Sequence, residues 1–426
     1  MSKHRRRIPQ GAPSAPAPKA ASHRPTGRKQ APPLPASPHA AGGQHGCFAI
    51  IAPGLEPLAL AEAVSLGLPA SLAEGGGGIE WRGDLTSVLR ANLGLRIASR
   101  VVVRVAQFEA TSFAELEREA RRIAWGRVIP AGSTVRFRVT CKKSRLYHSD
   151  AVAQRIADAI VRALPGTRVE GASGRAGEDD EETTGDAGQL LIVRMFHDQC
   201  TVSADSSGDL LHRRGYRQAA TRAPMRETIA AALLAASGWD GVAPLVDPLC
   251  GSGTIPIEAA LRARGIAPGS ERHFAVERWA GLSAAAAARV RVAMASDARA
   301  SAPGLIAGSD RDAGAVASAM ANAARAGVAA DLTLTEGAIS ALSLPAGPPG
   351  WVVSNPPYGV RVGDADRVRD LWARLGSVLR ARGRGWHVAL LSPDPALERQ
   401  LGLATTVSAT TMNGGLPVRL IVGTVS

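Results

Sequence analysis

The chain has 426 residues, 45% hydrophobic and 20% charged, with a formal net charge of +13 at pH 7. That length exceeds one typical core, so two or three domains are expected. No run of about 18 apolar residues occurs, which argues against a membrane-spanning helix, and the basic N-terminus lacks the apolar stretch a secretory signal needs.

Residues 1–45 are rich in Pro, Ala, Ser, Gly, Arg and Lys and poor in large apolar side chains. Such a segment cannot bury enough surface to offset its ordering entropy, so a disordered tail is expected. Its basic side chains suit either a loose electrostatic contact with RNA or simple solubilisation.

From residue 46 to 205 strand and helix patterns alternate. Phe48–Ile51 reads as a strand, Glu56–Leu66 as a helix, and Gly75–Gly78 as a turn. Asp84 caps a helix reaching about Leu93; Ser99–Gln107 is a strand; a helix with an acidic first turn is expected from Ser112 to Trp125. Thr134–Thr140 alternates apolar and polar side chains, as a half-buried strand does. His148–Leu164 is amphipathic, and Gln189–Met195 with Gln199–Ala204 suggests a hairpin. Trp125 and Phe137 read as core. The run Glu178–Glu182 reads as a solvated acidic loop. Lys142, Lys143, Arg145 and His148 lie between a strand and a helix, where a basic loop suits phosphates and is equally an ordinary exposed loop.

Residues 206–426 repeat strand and helix, the pattern of a doubly wound parallel sheet. Strands are expected at Pro244–Asp247, Leu305–Gly308, Leu332–Thr335, Trp351–Ser354 and Trp386–Leu391. Helices are expected at Arg226–Ser237, Ile255–Arg264, Ala313–Ala326 and Val368–Arg382. Ala404–Ala409 and Val418–Val422 would add antiparallel strands.

Two motifs carry chemistry. The loop Ser354-Asn355-Pro356-Pro357-Tyr358 follows a buried strand, and its amide, prolines and ring are poor core material. They form a rigid holder for a flat nitrogen-bearing group, between an acceptor and an aromatic face. Upstream, Leu245-Val246-Asp247-Pro248-Leu249-Cys250-Gly251-Ser252-Gly253-Thr254 reads as strand, glycine turn and helix. Glycines allow close approach of a ligand to backbone N–H groups at a helix start. The third glycine of the dinucleotide fingerprint and the Gly-Lys-Ser/Thr of a phosphate loop are both missing. Read alone, the turn also suits a tight connection with Asp247 as a helix cap, and Tyr358 also suits plain packing. Asp247, Asp310 and Asn355 each end a parallel strand, where ligands of such sheets bind.

The four cysteines, Cys47, Cys141, Cys200 and Cys250, are scattered, so neither a zinc site nor a disulfide framework is expected and a reducing cytoplasm fits. Cys250 in the glycine turn reads as a small side chain beside a ligand rather than a nucleophile.

Together these residues resemble the class I S-adenosylmethionine-dependent methyltransferases. The likeness is closest to RNA methyltransferases with a THUMP domain, of the RlmL type that methylates guanine N2 in 23S rRNA. Leu211-His212-Arg213-Arg214-Gly215-Tyr216-Arg217, Ala223–Thr228 and Asn413–Leu420 extend the match, which reaches back to Phe48. The resemblance implies an α/β fold: a Rossmann-like methyltransferase domain at 206–426, preceded by an α+β module. That module would comprise a ferredoxin-like part at 46–110 and a THUMP domain at 111–205.

It further implies roles for particular residues. Asp247, Leu249, Cys250, Gly251, Gly253 and Thr254 would line the methionine end of S-adenosylmethionine. Asp310, in preference to Glu277, would hold the ribose. Glu336 stands where the adenine amino group is usually met, though the common Asp is lacking. Asn355, Pro356, Pro357 and Tyr358 would carry the reaction. Arg213, Arg214 and Arg217 would lie at the cofactor and RNA entrance, a cluster that read alone also suits an exposed linker, and Lys142, Lys143 and Arg145 are the further RNA-binding candidates. Read from the residues, Arg361, Arg367 and Arg369 suit phosphate contacts and equally a solvated helix face. No metal, membrane or protein partner is implied, and a monomer is the default. The alternatives are a THUMP-type tRNA guanine-N2 enzyme, DNA adenine or release-factor glutamine methyltransferases, and a non-catalytic RNA-binding or assembly protein on the same fold.

Overall fold

A computed structural model of the chain describes residues 43–170, 188–218, 225–359 and 365–426. The tail through residue 42, the acidic run Glu178–Glu182, Ala223, Pro224 and Arg361 lie outside the described residues.

The first half carries β1 (His45–Ile50), α1 (Glu56–Ser65), β2 (Ser71–Leu72), β3 (Gly78–Gly83), α2 (Leu85–Gly94), β4 (Arg100–Glu109), α3 (Phe113–Ala120), β5 (Thr134–Lys142), α4 (Ser149–Ala163), β6 (Arg168–Val169), β7 (Gln189–Phe196) and β8 (Gln199–Asp205). All eight strands share one sheet, ordered β2-β3-β1-β4-β8-β7-β5-β6. The antiparallel pairing of β4 with β8, from Val102↔Asp205 to Glu109↔Gln199, joins the ferredoxin-like part to the segment that follows. β7 and β8 form the expected hairpin.

Local chemistry explains most boundaries. Asp84 caps α2, its Oδ1 accepting from Ser87 N at 2.9 Å. Ser112 caps α3. That helix was expected to reach Trp125 but stops at Ala120. Trp125, 1% exposed, turns into the core, and its indole N–H donates to the Ala120 carbonyl at 3.0 Å. One deeply buried indole outweighs another helical turn and adds a donor to a helix-end carbonyl that also accepts from Ile123 N at 3.3 Å.

The second half carries α5 (Glu227–Ala236), β9 (Leu245–Asp247), α6 (Thr254–Ala263), α7 (Ala284–Ala295), β10 (Ile306–Asp310), α8 (Ala313–Arg325), β11 (Leu332–Glu336), β12 (Trp351–Ser354), α9 (Ala365–Arg382), β13 (His387–Ser392), α10 (Pro395–Leu401), β14 (Thr405–Asn413) and β15 (Leu416–Thr424). The sheet order is β11-β10-β9-β12-β13-β15-β14. β9 to β13 run parallel, while β15 is antiparallel to both β13 and β14. The order reverses between β9 and β12, which places the switch point at the carboxyl ends of those two strands.

The stretch ending at Glu277 is no strand: Ala275–Arg278 forms a 3-10 turn. Glu277 accepts there from Phe274 N at 2.9 Å and pairs with Arg291 of α7 at 2.7 Å, away from any strand end. α7 itself gave no periodic signal, because its alanine-rich run presents a similar surface all round. Ser283 starts it by accepting from Ala286 N at 3.2 Å.

The two halves share a continuous apolar core that includes Ala49 and Leu89 as well as Ile257 and Leu391. Polar ties cross the same boundary. Arg96, after α2, donates to the carbonyls of Ile266 at 2.5 Å and Leu261 at 3.4 Å. Trp279 Nε1 donates to Gln189 Oε1 at 2.9 Å, and Gly269 N to Leu93 O at 2.9 Å.

Candidate active site

The glycine turn leaves β9 at Asp247 and enters α6 at Thr254. Gly251 (φ +52°) and Gly253 (φ +85°) occupy the left-handed region, where side chains with a Cβ are strained. Their environments differ. A Cβ on Gly253 would lie 2.9 Å from the Cβ of Ala319 on α8, so this glycine permits close helix packing. A Cβ on Gly251 would meet nothing within 4 Å, so that side of the turn is open. The turn is bolted to β10: Cys250 N donates to Ser309 O at 2.9 Å and Gly251 N to Asp310 Oδ2 at 3.0 Å.

Asp247 is 1% exposed. Its Oδ1 accepts from Ser354 Oγ at 2.6 Å and from Leu249 N at 3.1 Å. Among the described residues no hydrogen bond is made to its Oδ2. Burial pushes the Asp247 carboxyl up to about 7; the Asp310 charge adds to this, while the Ser354 and Leu249 bonds oppose it. The Cys250 thiol is raised by burial and by the charges of Asp247 and Asp310, so it is no thiolate at neutral pH.

Asp310 is the last residue of β10 and stands in register with Glu336, the exposed last residue of β11. Leu249 is half-buried and Thr254 buried. The hydroxyl of Thr254 accepts from Arg217 at 2.9 Å.

β9 and β12 pair only through Leu245 with Trp351 and Val246 with Val352, after which they part at the switch point. Ser354, fully buried, spans the gap to Asp247. The glycine turn, the β10 end and the start of the Asn-Pro-Pro-Tyr loop are therefore joined by direct hydrogen bonds. Beyond Ser354, the Tyr358 hydroxyl donates to Asn355 Oδ1 at 2.7 Å. Trp372 Nε1, from α9, reaches the Pro357 carbonyl at 3.5 Å. Asn413 Nδ2, from the end of β14, donates to the Tyr358 hydroxyl at 3.0 Å. Sequence reading assigned no role to Trp372 or Asn413. The signals for Asn413's place were the matching stretch Asn413–Leu420 and its Gly414-Gly415 pair, which the structure shows at positive φ in a two-residue hairpin turn.

The basic candidates divide. Lys142, Lys143 and Arg145 are exposed beside the β7–β8 hairpin turn. Asp198 of that turn accepts from Arg145 N at 2.7 Å, and its own N–H donates to Ser144 Oγ at 3.1 Å. Arg213 is half-buried. Arg214 and Arg217 correct the expectation of an RNA-facing cluster, since both guanidinium groups point inward. Arg214 donates to Leu211 O at 2.5 Å and Arg96 O at 2.6 Å and lies 3.6 Å from Glu258. Arg217 donates to Met225 O at 2.7 Å and pairs with Glu227 at 3.1 Å. His212 is buried, and burial with the neighbouring arginines pulls it down to about 3, so it is neutral. Arg214 thus ties the two halves together through Arg96 and Glu258, while Arg217 finds its acid and carbonyl within the second half.

Comparison with known proteins gives three consecutive matches. Residues 46–102 match the RlmL ferredoxin-like domain, 110–171 the THUMP domain, and 214–421 the RMKL-like methyltransferase domain. A ribosomal RNA large subunit methyltransferase K/L of Methylococcus capsulatus is 34% identical over 393 residues, covering 88% of this chain and 50% of that protein. The chain thus spans about half the length of the K/L proteins it matches. A putative RNA methyltransferase of Synechocystis sp. is 32% identical over 376 residues, covering 88% of this chain and 95% of that protein. Among solved structures, a putative methyltransferase complexed with S-adenosylhomocysteine aligns with TM-score 0.77 and 29% identity, over 90% of this chain and 99% of that one. A predicted N6-adenine-specific DNA methylase from Listeria monocytogenes aligns with TM-score 0.76 and 32% identity, over 88% and 96%. No helix of the described residues is long and apolar enough to cross a membrane.

Proposed function

The chain belongs to the family of THUMP-containing class I RNA methyltransferases of the RlmL type, and from that premise we propose that it methylates the exocyclic N2 of a guanine in RNA, with 23S rRNA as substrate. The carrying observation is the 2.6 Å bond from Ser354 to Asp247, which puts the Asn-Pro-Pro-Tyr loop and the glycine turn at one switch point.

The residues present fit S-adenosylmethionine. The Oδ2 of Asp247, which takes no hydrogen bond among the described residues while Oδ1 is held by Ser354 and Leu249, suits an ammonium group. The open side of Gly251 admits a ligand against the backbone, flanked by Leu249, Cys250, Gly253 and Thr254. Asp310 and Glu336, side by side at neighbouring strand ends, suit the ribose and adenine. When bound, the cofactor supplies a methyl group already activated by its sulfonium charge.

The protein's own task is positioning. The lone pair of an exocyclic amine is delocalised into its ring and is a poor nucleophile. Accepting its N–H protons with Asn355 Oδ1 and the Pro356 carbonyl localises that lone pair and aims it at the methyl group. Tyr358 presents its ring to the base, and Pro357 stiffens the loop. Holding the partners at near-attack distance contributes at best about 7–11 kcal/mol to lowering the barrier. The target base must be unpaired or flipped out to reach the loop. Lys142, Lys143 and Arg145, with Arg213, are the candidate phosphate contacts.

An amide acceptor and a ring suit any exocyclic amine, so adenine N6 is the second reading, in keeping with the likeness to the Listeria protein. The test is nucleoside mass spectrometry of rRNA and tRNA from a deletion strain and its complement. Loss of N2-methylguanosine from 23S rRNA supports the reading. Loss from tRNA, loss of N6-methyladenosine, or no change overturns it.

A further inference from the structure

We propose that Asn413 is a positioning residue that orients the Asn355 amide by way of the Tyr358 hydroxyl. The inference rests on the reading of Asn355 as the acceptor for the target amine. The chain of bonds has a direction. The Asn413 amide N–H can only donate, and it donates to the Tyr358 oxygen at 3.0 Å. The Tyr358 proton is thereby directed to its other neighbour, Asn355 Oδ1, at 2.7 Å. Asn355 thus keeps its carbonyl oxygen, not its NH2, on the Tyr358 side. An amide oxygen has two lone pairs. One is taken by Tyr358 and the other stays available for a base N–H.

Burial gives the chain its weight. Tyr358 packs against the core, and burial pushes its hydroxyl up to about 12, with the Asn413 bond pulling the other way. The hydroxyl therefore stays a donor throughout the physiological range. In such surroundings linked hydrogen bonds strengthen one another, and an unmade one is costly. Asn413 is itself fixed by its hairpin: it pairs with Leu416 across Gly414-Gly415, both in the left-handed region. The final hairpin of the sheet therefore reaches a loop residue 55 positions earlier in the chain.

Two measurements test this on the full chain. The first needs no RNA. The sequence contains four asparagines, Asn92, Asn322, Asn355 and Asn413, so selective 15N labelling leaves few side-chain amide signals. Asn413→Ala and Tyr358→Phe should shift the Asn355 amide signal alike, and those of Asn92 and Asn322 little. The second is kinetic. Asn413→Ala, and the isosteric Asn413→Asp, whose carboxylate accepts the Tyr358 proton instead, should lower kcat about tenfold, as expected for one part-buried hydrogen bond. Affinity for S-adenosylhomocysteine should stay within about twofold, because the ligand lies beyond the relay. In a Tyr358→Phe background, Asn413→Ala should cost less than about twofold, since the relay is already cut.

An unmoved Asn355 signal overturns the proposal, as does an equal loss from Asn413→Ala in both backgrounds. Should the wild type leave guanine N2 unmethylated, the amide signals still decide the relay, so the two failures are distinguishable.

Discussion

Cofactor binding should depend on pH through Asp247. Its folded-state value of about 7 is raised mainly by burial, far above the ordinary carboxylate range. A group raised in this way holds its proton in the free protein below pH 7, whereas a cationic amino group needs the carboxylate. Binding must then release a proton, and the apparent Kd scales inversely with the fraction of Asp247 already ionised. Between pH 8 and pH 6 that fraction falls about tenfold, so affinity should weaken about tenfold and flatten above pH 8. Titration calorimetry with S-adenosylhomocysteine, in two buffers of different ionisation enthalpy, measures both quantities. About 0.9 proton should be released per ligand at pH 6 and about 0.1 at pH 8. The same shift acts on the free protein with a definite sign. Because the folded acid has the higher value, stability falls as pH rises from about 4 to about 7. Asp247→Asn should therefore stabilise the ligand-free protein at pH 8, by at most about 4 kcal/mol, while losing about a hundredfold in ligand affinity as a charge-assisted bond is removed. Equal affinity at pH 6 and pH 8, with no proton released, would refute the assignment of Asp247 to the cofactor's amino group.

Asn355→Ala should abolish methyl transfer while RNA retention in a filter assay stays within about twofold, because one neutral side chain adds little to a phosphate-dominated contact. Lys142→Glu combined with Lys143→Glu should weaken RNA binding and lower the slope of log K against log salt by about 2, with ligand affinity unchanged; an unaltered slope would remove these residues from the interface. Gly253→Ala should lower Tm and weaken ligand binding at least about tenfold, since a Cβ there both meets Ala319 and demands a strained backbone costing about 1–2 kcal/mol. Trp372→Ala should destabilise by about 3–5 kcal/mol, as this indole is fully buried, and should release the Pro357 carbonyl it reaches; thermal unfolding and kcat report the two effects.

By itself the sequence determined the strand and helix alternation, the ends of β9, β10 and β12, and the two motifs that those ends carry. These are local matters: an apolar run, a glycine where φ must be positive, two prolines that stiffen a loop. It could not determine which acid follows the second strand of the sheet. Only pairing decided that, setting Asp310 beside Glu336 and drawing Glu277 to Arg291. Nor could it separate the inward arginines, Arg214 and Arg217, from the outward Lys142 and Lys143, because a charge on a linker looks the same until its partners arrive. The early end of α3 and the reach of Asn413 to Tyr358 have the same origin. Each rests on contacts between residues distant in sequence or on competition for the core, and tertiary packing chooses among options that local pattern leaves equal.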